Sequence, residues 1–331
     1  MRVAVIGAGS MGGKHAQLLA GIPGVDEVLV VDALADRATA VAGGIGGRAV
    51  THDEALDGAG AIVVATPAEL HAATVTVAVK RRIPVLCEKP LTEDLATSAA
   101  LVDLVEATGA HVEVGFHRRH DPGYVAGRRQ VVDGSVGRIH LLRLTAFDPL
   151  VTPRAATEWT PNEAAPLFLH SSIHDFDFVR WMSGQEVIEV SVDGSRRDEA
   201  RPDDPRGLET AVVTMRLSEG TLAVLGATWL HPAGYDNRAE LIAEHAHLTM
   251  GLSPRTPAAH ADWDGASGEP WPGYLARFEA AYRAELVAFL AAARGEQPPA
   301  SRARDGLEAL RIAVAATIAY RERRPVRVAE V

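Results

Sequence analysis

Gly7-Ala8-Gly9-Ser10-Met11-Gly12 follows the apolar run Val3–Ile6 and opens a helix-compatible stretch, and Asp32 closes the next β-branched run 20 residues beyond Gly12. Each residue type meets a requirement of dinucleotide binding. Gly7 permits a tight turn, Gly9 lets the main chain approach a pyrophosphate, and Gly12 allows close helix–strand packing. The helix that starts at Ser10 and Met11 turns N–H donors and the positive end of its dipole towards phosphates. Asp32 can accept hydrogen bonds from ribose hydroxyls, and its charge opposes a 2′-phosphate, so NAD is expected over NADP. Arg37 argues for NADP, but it sits beyond the usual position and is expected to face solvent from the second helix. A lone G-x-G-x-x-G is a weak signal; strand, helix and acid in register make it specific.

A second set of reactive types lies at His170, His174 and Asp177. If Leu169–Trp181 is helical, spacings of i, i+4 and i+7 put all three on one face. A histidine can exchange a proton near neutral pH, and two histidines at i and i+4 also have metal-ligand spacing. Lys89, between Glu88 and Pro90, is of a type that stabilises developing negative charge, although a lysine before proline in a β-to-α loop is usually just solvated. Cys87 reads as a small packing residue rather than a nucleophile. His111, His231 and His260 read as surface or satisfied polar residues.

The elements that must carry these groups fall into two patterns. Up to residue 118, strands at Val3–Ile6, Val28–Val31, Ala61–Ala65, Val85–Leu86 and His111–Val114 alternate with helices at Met11–Leu19, Leu34–Ala42, Ala68–Lys80 and Thr92–Ala107. Such alternation predicts a doubly wound parallel α/β sheet, a Rossmann domain over 1–118. In 119–331, strands at Ile139–Phe147, Val187–Val192, Ala211–Leu217, Thr221–Thr228 and Ala239–Ala243 follow one another with few helices between. Ser218-Glu219-Gly220 between two of them reads as a hairpin, which only antiparallel strands can use. The second domain is therefore expected to be α+β, with a mainly antiparallel open sheet. Two late helices, Tyr274–Arg294 and Asp305–Arg321, complete it, and Ser253–Gly273 reads as a loop or insertion.

Composition narrows the function classes. The 331 residues suit about two domains, and 33 Lys+Arg against 43 Asp+Glu give a net charge of −10 with the signs interspersed. Nucleic-acid and acidic-membrane partners need a concentrated positive surface and are not expected. The single cysteine forms no intrachain disulfide, which suits a reducing cytoplasm. Charge, Gly or Pro interrupts every apolar stretch before membrane-spanning length.

Further motifs carry a resemblance that extends over essentially the whole chain. They are Ala65-Thr66-Pro67 followed by His71, Glu88-Lys89-Pro90, Val114-Gly115-Phe116-His117-Arg118-Arg119 with Asp121-Pro122, Ile173-His174-Asp175-Phe176-Asp177, Arg277-Phe278 with Ala281-Tyr282, and Asp305–Leu310. Together with the glycine fingerprint they resemble the Gfo/Idh/MocA family of oxidoreductases, and within it the inositol 2-dehydrogenase branch. The resemblance implies hydride transfer between a ring polyol, a cyclitol or a sugar, and NAD. It makes Lys89 the active-site lysine, with a cis Lys89–Pro90 peptide, and His174 the acid/base. Thr66, Pro67, Glu88 and His117 match positions lining the nicotinamide half of the cofactor site, and Asp177 and Tyr235 match polyol-holding positions. A homodimer or homotetramer is implied as well. Aldose 1-dehydrogenase and sugar 3-dehydrogenase activities are the alternatives within enzymes.

The chain departs from the family pattern at one position. Ala165-Pro166 stand where two glycines are usual, and His170 replaces an aspartate. An aspartate would fix the tautomer of the imidazole at His174 and stabilise its protonated form; a neutral histidine only orients it, and a protonated one lowers its pKa. Three readings follow: catalysis with a shifted pH optimum, a non-catalytic NAD-binding sensor, or a divalent metal held by His170, His174 and Asp177. The first is adopted, with no metal expected.

Overall fold

The computed structural model describes residues 1–149, 164–195, 207–251, 260–262, 265–267 and 270–331. They divide into two compact units, Met1–His120 with Ala280–Glu308, and Asp121–Glu279 with Ala309–Val331.

The first unit is built on six parallel strands, β1 (Arg2–Ile6), β2 (Glu27–Val31), β3 (Arg48–Ala49), β4 (Ala61–Val64), β5 (Val85–Cys87) and β6 (Val112–Val114), in the order β3-β2-β1-β4-β5-β6. Between them run α1 (Ser10–Ala20), α2 (Ala35–Ile45), α3 (His52–Gly58), α4 (His71–Lys80) and α5 (Leu95–Thr108). Val3, Leu29, Ile62, Val63 and Val85 are fully buried, as a parallel sheet covered on both faces requires. The strand order reverses beside β1, and it is there, at the carboxyl ends of the strands, that open α/β sheets form their crevice. β3 and α3 were not expected from the sequence, although α3 carries a readable start signal. Thr51 accepts from the Glu54 amide at 3.3 Å and Glu54 accepts from the Thr51 amide at 2.8 Å, a capping box.

In the second unit, β7 (Ile139–Pro149), β8 (Val187–Ser195), β9 (Thr210–Leu217), β10 (Leu222–His231), β11 (Asp236–Ala243), β12 (His247–Met250) and the late β15 (Val326–Arg327) form one sheet in the order β12-β11-β7-β10-β9-β8-β15. Only β7 and β10 pair in parallel; the remaining neighbours are antiparallel. The hairpin at Ser218-Glu219-Gly220 joins β9 to β10, and Gly220 takes a φ of 85° that favours glycine. Strict alternation along β9, with Ala211, Val213, Met215 and Leu217 buried, gives the sheet one core face and one outer face. The core face is covered by α6 (Pro122–Val132) and α7 (Ile173–Ser183), among other elements. β13 (His260–Asp262) pairs with β14 (Gly265–Ser267); most of the expected Ser253–Gly273 loop lies outside the described residues, as does the side chain of His260.

The long late helix expected at Tyr274–Arg294 is two helices. A single turn, Tyr274–Arg277, ends at Phe278, and α8 (Glu279–Ala293) begins afresh; α9 (Ala303–Glu322) follows. Phe278 leaves helical geometry at the break, with φ −108° and ψ 16°, and beside it the Arg277 guanidinium is buried 2.8 Å from Asp121 Oδ2 and over the Phe278 ring.

Candidate cofactor and active site

A cleft of about 960 Å³ opens at the switch point of the first unit, and Gly7, Gly9, Ser10, Met11, Asp32, Thr66, Pro67, Glu88 and Lys89 all line it. The glycines sit where the backbone leaves no alternative. Gly7 has a φ of 97°, and a Cβ there would meet Ala65 O at 2.5 Å. Gly12 lies behind the cleft wall, where a Cβ would approach Gly7 O to 1.7 Å. At Gly9, by contrast, a Cβ would meet nothing within 4 Å, so this residue fronts open space. Gly9 is also the N-cap of α1 and has no side chain to occupy the first amides of the helix, which are left for an anion.

Asp32 is organised before any ligand arrives. Its Oδ2 accepts the Ala8 amide at 2.8 Å and its Oδ1 the Leu34 amide at 2.9 Å. Burial pushes its pKa up, but these two amides and Arg37 outweigh burial and hold the carboxyl below the ordinary range. Arg37 is exposed on α2, as expected, and it also lines the cleft 3.5 Å from Asp32.

At the other end of the cleft, the Lys89–Pro90 peptide is cis. Glu88 accepts from His15 Nε2 at 2.7 Å and from the Lys89 amide at 3.2 Å. Burial raises the Glu88 pKa, but the bonds and charges of His15 and Lys89 prevail and leave it below the usual carboxylate range. His71 faces Thr66 O with Nε2 at 2.8 Å and Pro90 O with Nδ1 at 2.9 Å, tying the loops after β4 and β5 together. Thr66 Oγ1 is buried in the cleft wall without a hydrogen-bond partner among the described residues. An unsatisfied hydroxyl, open space before Gly9 and a pre-set Asp32 together fit a dinucleotide.

His117 does not line this cleft. It is buried in the same unit with its ring stacked on Tyr282 at 4.3 Å. Burial, then the charges of Arg118 and Lys89, hold its pKa well below that of an ordinary histidine, so it is neutral at neutral pH. Cys87 is a buried packing residue, its thiol pKa pushed well up by burial and then by Glu88. His111 bonds Glu113 at 2.8 Å and, in the second unit, His231 bonds Gly234 O at 2.7 Å, so both are satisfied.

His170, His174, Asp177 and Tyr235 belong to the second unit. A π-helical turn, Leu167–Ser172, runs directly into α7, so His170 and His174 remain on one side of a continuous helical segment, and Asp177 follows His174 by a further i+3 step. His174 and Asp177 are buried and His170 is half-buried. Among the described residues, no group of three or more His, Cys, Asp or Glu is placed to hold a metal ion. The Tyr235 ring meets Phe278 edge-on at 6.1 Å, and its amide donates to Trp271 O at 2.8 Å.

His15 and Tyr282 were not singled out as site residues from the sequence, and His71 was noted only as part of a motif. The partners of His15 and Tyr282 lie more than 70 residues away, and no local spacing announces such pairs.

A parallel sheet in this order, with a glycine turn and a pre-set acid at its switch point, defines the first unit as a dinucleotide-binding Rossmann domain. Residues 1–116 match the model described as oxidoreductase family, NAD-binding Rossmann fold, and residues 128–328 match the C-terminal alpha/beta domain of the same family. The chain belongs to the Gfo/Idh/MocA oxidoreductase family. It is 36% identical over 321 residues to a myo-inositol dehydrogenase of Streptomyces leeuwenhoekii, covering 96% of each chain. Among solved structures it resembles the scyllo-inositol dehydrogenase of Lactobacillus casei with bound NAD(H) and scyllo-inositol, at a TM-score of 0.91, 25% identity and 99% of both chains. It also resembles a myo-inositol dehydrogenase of Corynebacterium glutamicum, at a TM-score of 0.89 and 27% identity, over 99% of this chain and 98% of that one.

Proposed function

We propose that this protein is an NAD-dependent cyclitol dehydrogenase that oxidises one ring secondary alcohol, as in myo- or scyllo-inositol, to the ketone. The observation that carries this reading is the cleft at the switch point, glycine-turned and Asp32-lined, in a chain whose full length matches inositol dehydrogenases. When bound, NAD supplies the hydride acceptor.

The protein's residues supply the rest. Gly9 and the α1 amides at Ser10 and Met11 hold the pyrophosphate, and Asp32 takes the ribose hydroxyls. Thr66, Pro67 and Glu88 serve the nicotinamide half. His174 takes the hydroxyl proton as the carbon loses its hydride, and the Lys89 ammonium stabilises the alkoxide charge that builds in that step. His170 orients His174 through a hydrogen bond in place of an aspartate, while Asp177 and Tyr235 hold neighbouring ring hydroxyls.

In this reading residues 1–118 form the cofactor domain, joined by Ala280–Glu308 of the first unit, and the rest of 119–331 provides substrate binding and assembly. A homodimer or homotetramer through the outer face of the seven-stranded sheet accounts for the exposed Ile188, Val212 and Leu222. A cytoplasmic setting suits the single buried thiol. No helix among the described residues is long and apolar enough to cross a membrane.

The test offers myo-inositol, scyllo-inositol and common aldoses with NAD or NADP and follows reduced-cofactor absorbance. Turnover of a cyclitol with NAD supports the reading. Turnover of aldoses alone replaces the substrate, and tight NAD binding with no turnover makes the protein a sensor.

A further inference from the structure

Glu285, on α8, is a buried titratable group that the proposed reaction does not use. It is 2% exposed, and neither carboxyl oxygen has a hydrogen-bond partner among the described residues. Buried polar groups in folded chains are almost always bonded, so an orphan carboxyl calls for an explanation. Its neighbours sharpen the question. The carboxylates of Glu88, after β5, and of Glu113, on β6, both act on it electrostatically.

Each of those two carboxylates is already engaged. Glu88 takes His15 Nε2 at 2.7 Å and the Lys89 amide at 3.2 Å, while Glu113 takes His111 at 2.8 Å and the Ala300 amide at 3.1 Å. Tyr282, one turn earlier on α8, stacks on His117 at 4.3 Å and meets His15 edge-on at 6.0 Å. Glu88 and Glu113 are in turn coupled to His15 on α1, Lys89 after β5, His111 at β6, and His117, Arg118, Arg119 and His120 after β6, with Tyr282 on the same helix as Glu285. Burial, reinforced by Glu88 and Glu113, pushes the Glu285 pKa well above the carboxylate range. A third negative charge here would compete with Glu88 for His15, whose Nδ1 is itself buried without a partner among the described residues.

We propose that Glu285 is a positioning residue kept as the neutral carboxylic acid, and that its proton preserves the Glu88–His15 pair and, through the Glu88 bond to the Lys89 amide, the backbone at the nicotinamide end of the cleft. The proposal rests on the NAD-dependent reading above. It makes NAD binding tighter when Glu285 is protonated, and by reciprocity NAD raises the pH at which Glu285 titrates.

The experiment titrates the full chain, labelled with carboxyl-13C glutamate, by NMR with and without saturating NAD; Glu285→Gln assigns the signal. One glutamate carboxyl is expected to stay protonated at neutral pH, to be absent from the Gln variant, and to titrate about one pH unit or more higher with NAD, equivalent to a tenfold or greater change in NAD Kd. Glu285→Gln should bind NAD as the parent does at neutral pH and lose the alkaline weakening that the parent shows. If that variant does not fold, the NAD-dependent shift of the protonated signal in the parent decides the matter. An ionised set of glutamates at neutral pH, a titration indifferent to NAD, or the same alkaline limb in parent and variant would overturn the proposal. A parent that binds no NAD at any pH would instead overturn the dinucleotide reading, and the carboxyl signal would show so separately.

Discussion

Asp32→Asn probes how the turn after β2 selects the cofactor. The carboxylate accepts two main-chain amides at 2.8 and 2.9 Å; asparagine retains one acceptor oxygen and turns an NH2 towards the second amide. With hydrogen bonds to a charged group worth ~1.5–3 kcal/mol, the turn loses about 2 kcal/mol of support. The ribose hydroxyls lose their charged acceptor at the same time, a similar ~2 kcal/mol, or a ~30-fold weaker NAD Kd at ~1.4 kcal/mol per tenfold. NADP gains. Repulsion of its 2′-phosphate disappears, worth ~1 kcal/mol or more at a separation near ~4 Å in a water-like medium, and Arg37, 3.5 Å from Asp32, is released to meet the phosphate. The preference for NAD over NADP should therefore fall ~100-fold, measured by calorimetric titration of both cofactors. An NAD Kd within twofold of the parent, or an NADP Kd that does not improve, would refute the assignment of Asp32 to the ribose.

Two other perturbations read the second set of groups. His174→Ala should reduce turnover ~10²-fold or more, as loss of a general base does, and His170→Asp should shift the pH–rate profile of the parent; an unchanged rate in the first or superimposable profiles in the second removes the corresponding role. His120 sets an acid limit on stability. Burial, the largest influence, and Arg119 lower its pKa from 6.5 to about 4, against an upward pull from Glu113. The folded chain thus keeps it neutral while the unfolded chain takes up a proton, so its contribution is intact above pH 6.5 and falls by about 3 kcal/mol in all as pH drops to about 4. Denaturant titrations should show that pH dependence reduced in His120→Gln; parallel curves for parent and variant would contradict it.

Much of the cofactor site could be read in advance because its demands fall on the backbone. Only glycine suits the φ of Gly7 or the 1.7 Å approach at Gly12, so the residue type and the geometry carry the same information. The parallel sheet was legible from its apolar runs, and the antiparallel one from alternation and the hairpin at Gly220. What stayed hidden depends on partners distant in the chain. The α5 helix starts at Leu95 rather than Thr92, because Asp94 caps it by accepting the Thr97 amide at 2.8 Å. Arg37 stays exposed yet also reaches Asp32, and Arg277 is anchored on Asp121. The π-turn before α7, the His71 tie and the lone carboxyl of Glu285 all arise from packing that no periodicity records.

The most direct test of the account follows one deuterium. Myo- or scyllo-inositol deuterated at its ring carbons should yield, with this protein and NAD, reduced cofactor carrying a single deuterium on one face of the nicotinamide ring, together with an inosose. Reduced cofactor without deuterium, or no reduction by any cyclitol from a chain that binds NAD tightly, would contradict it.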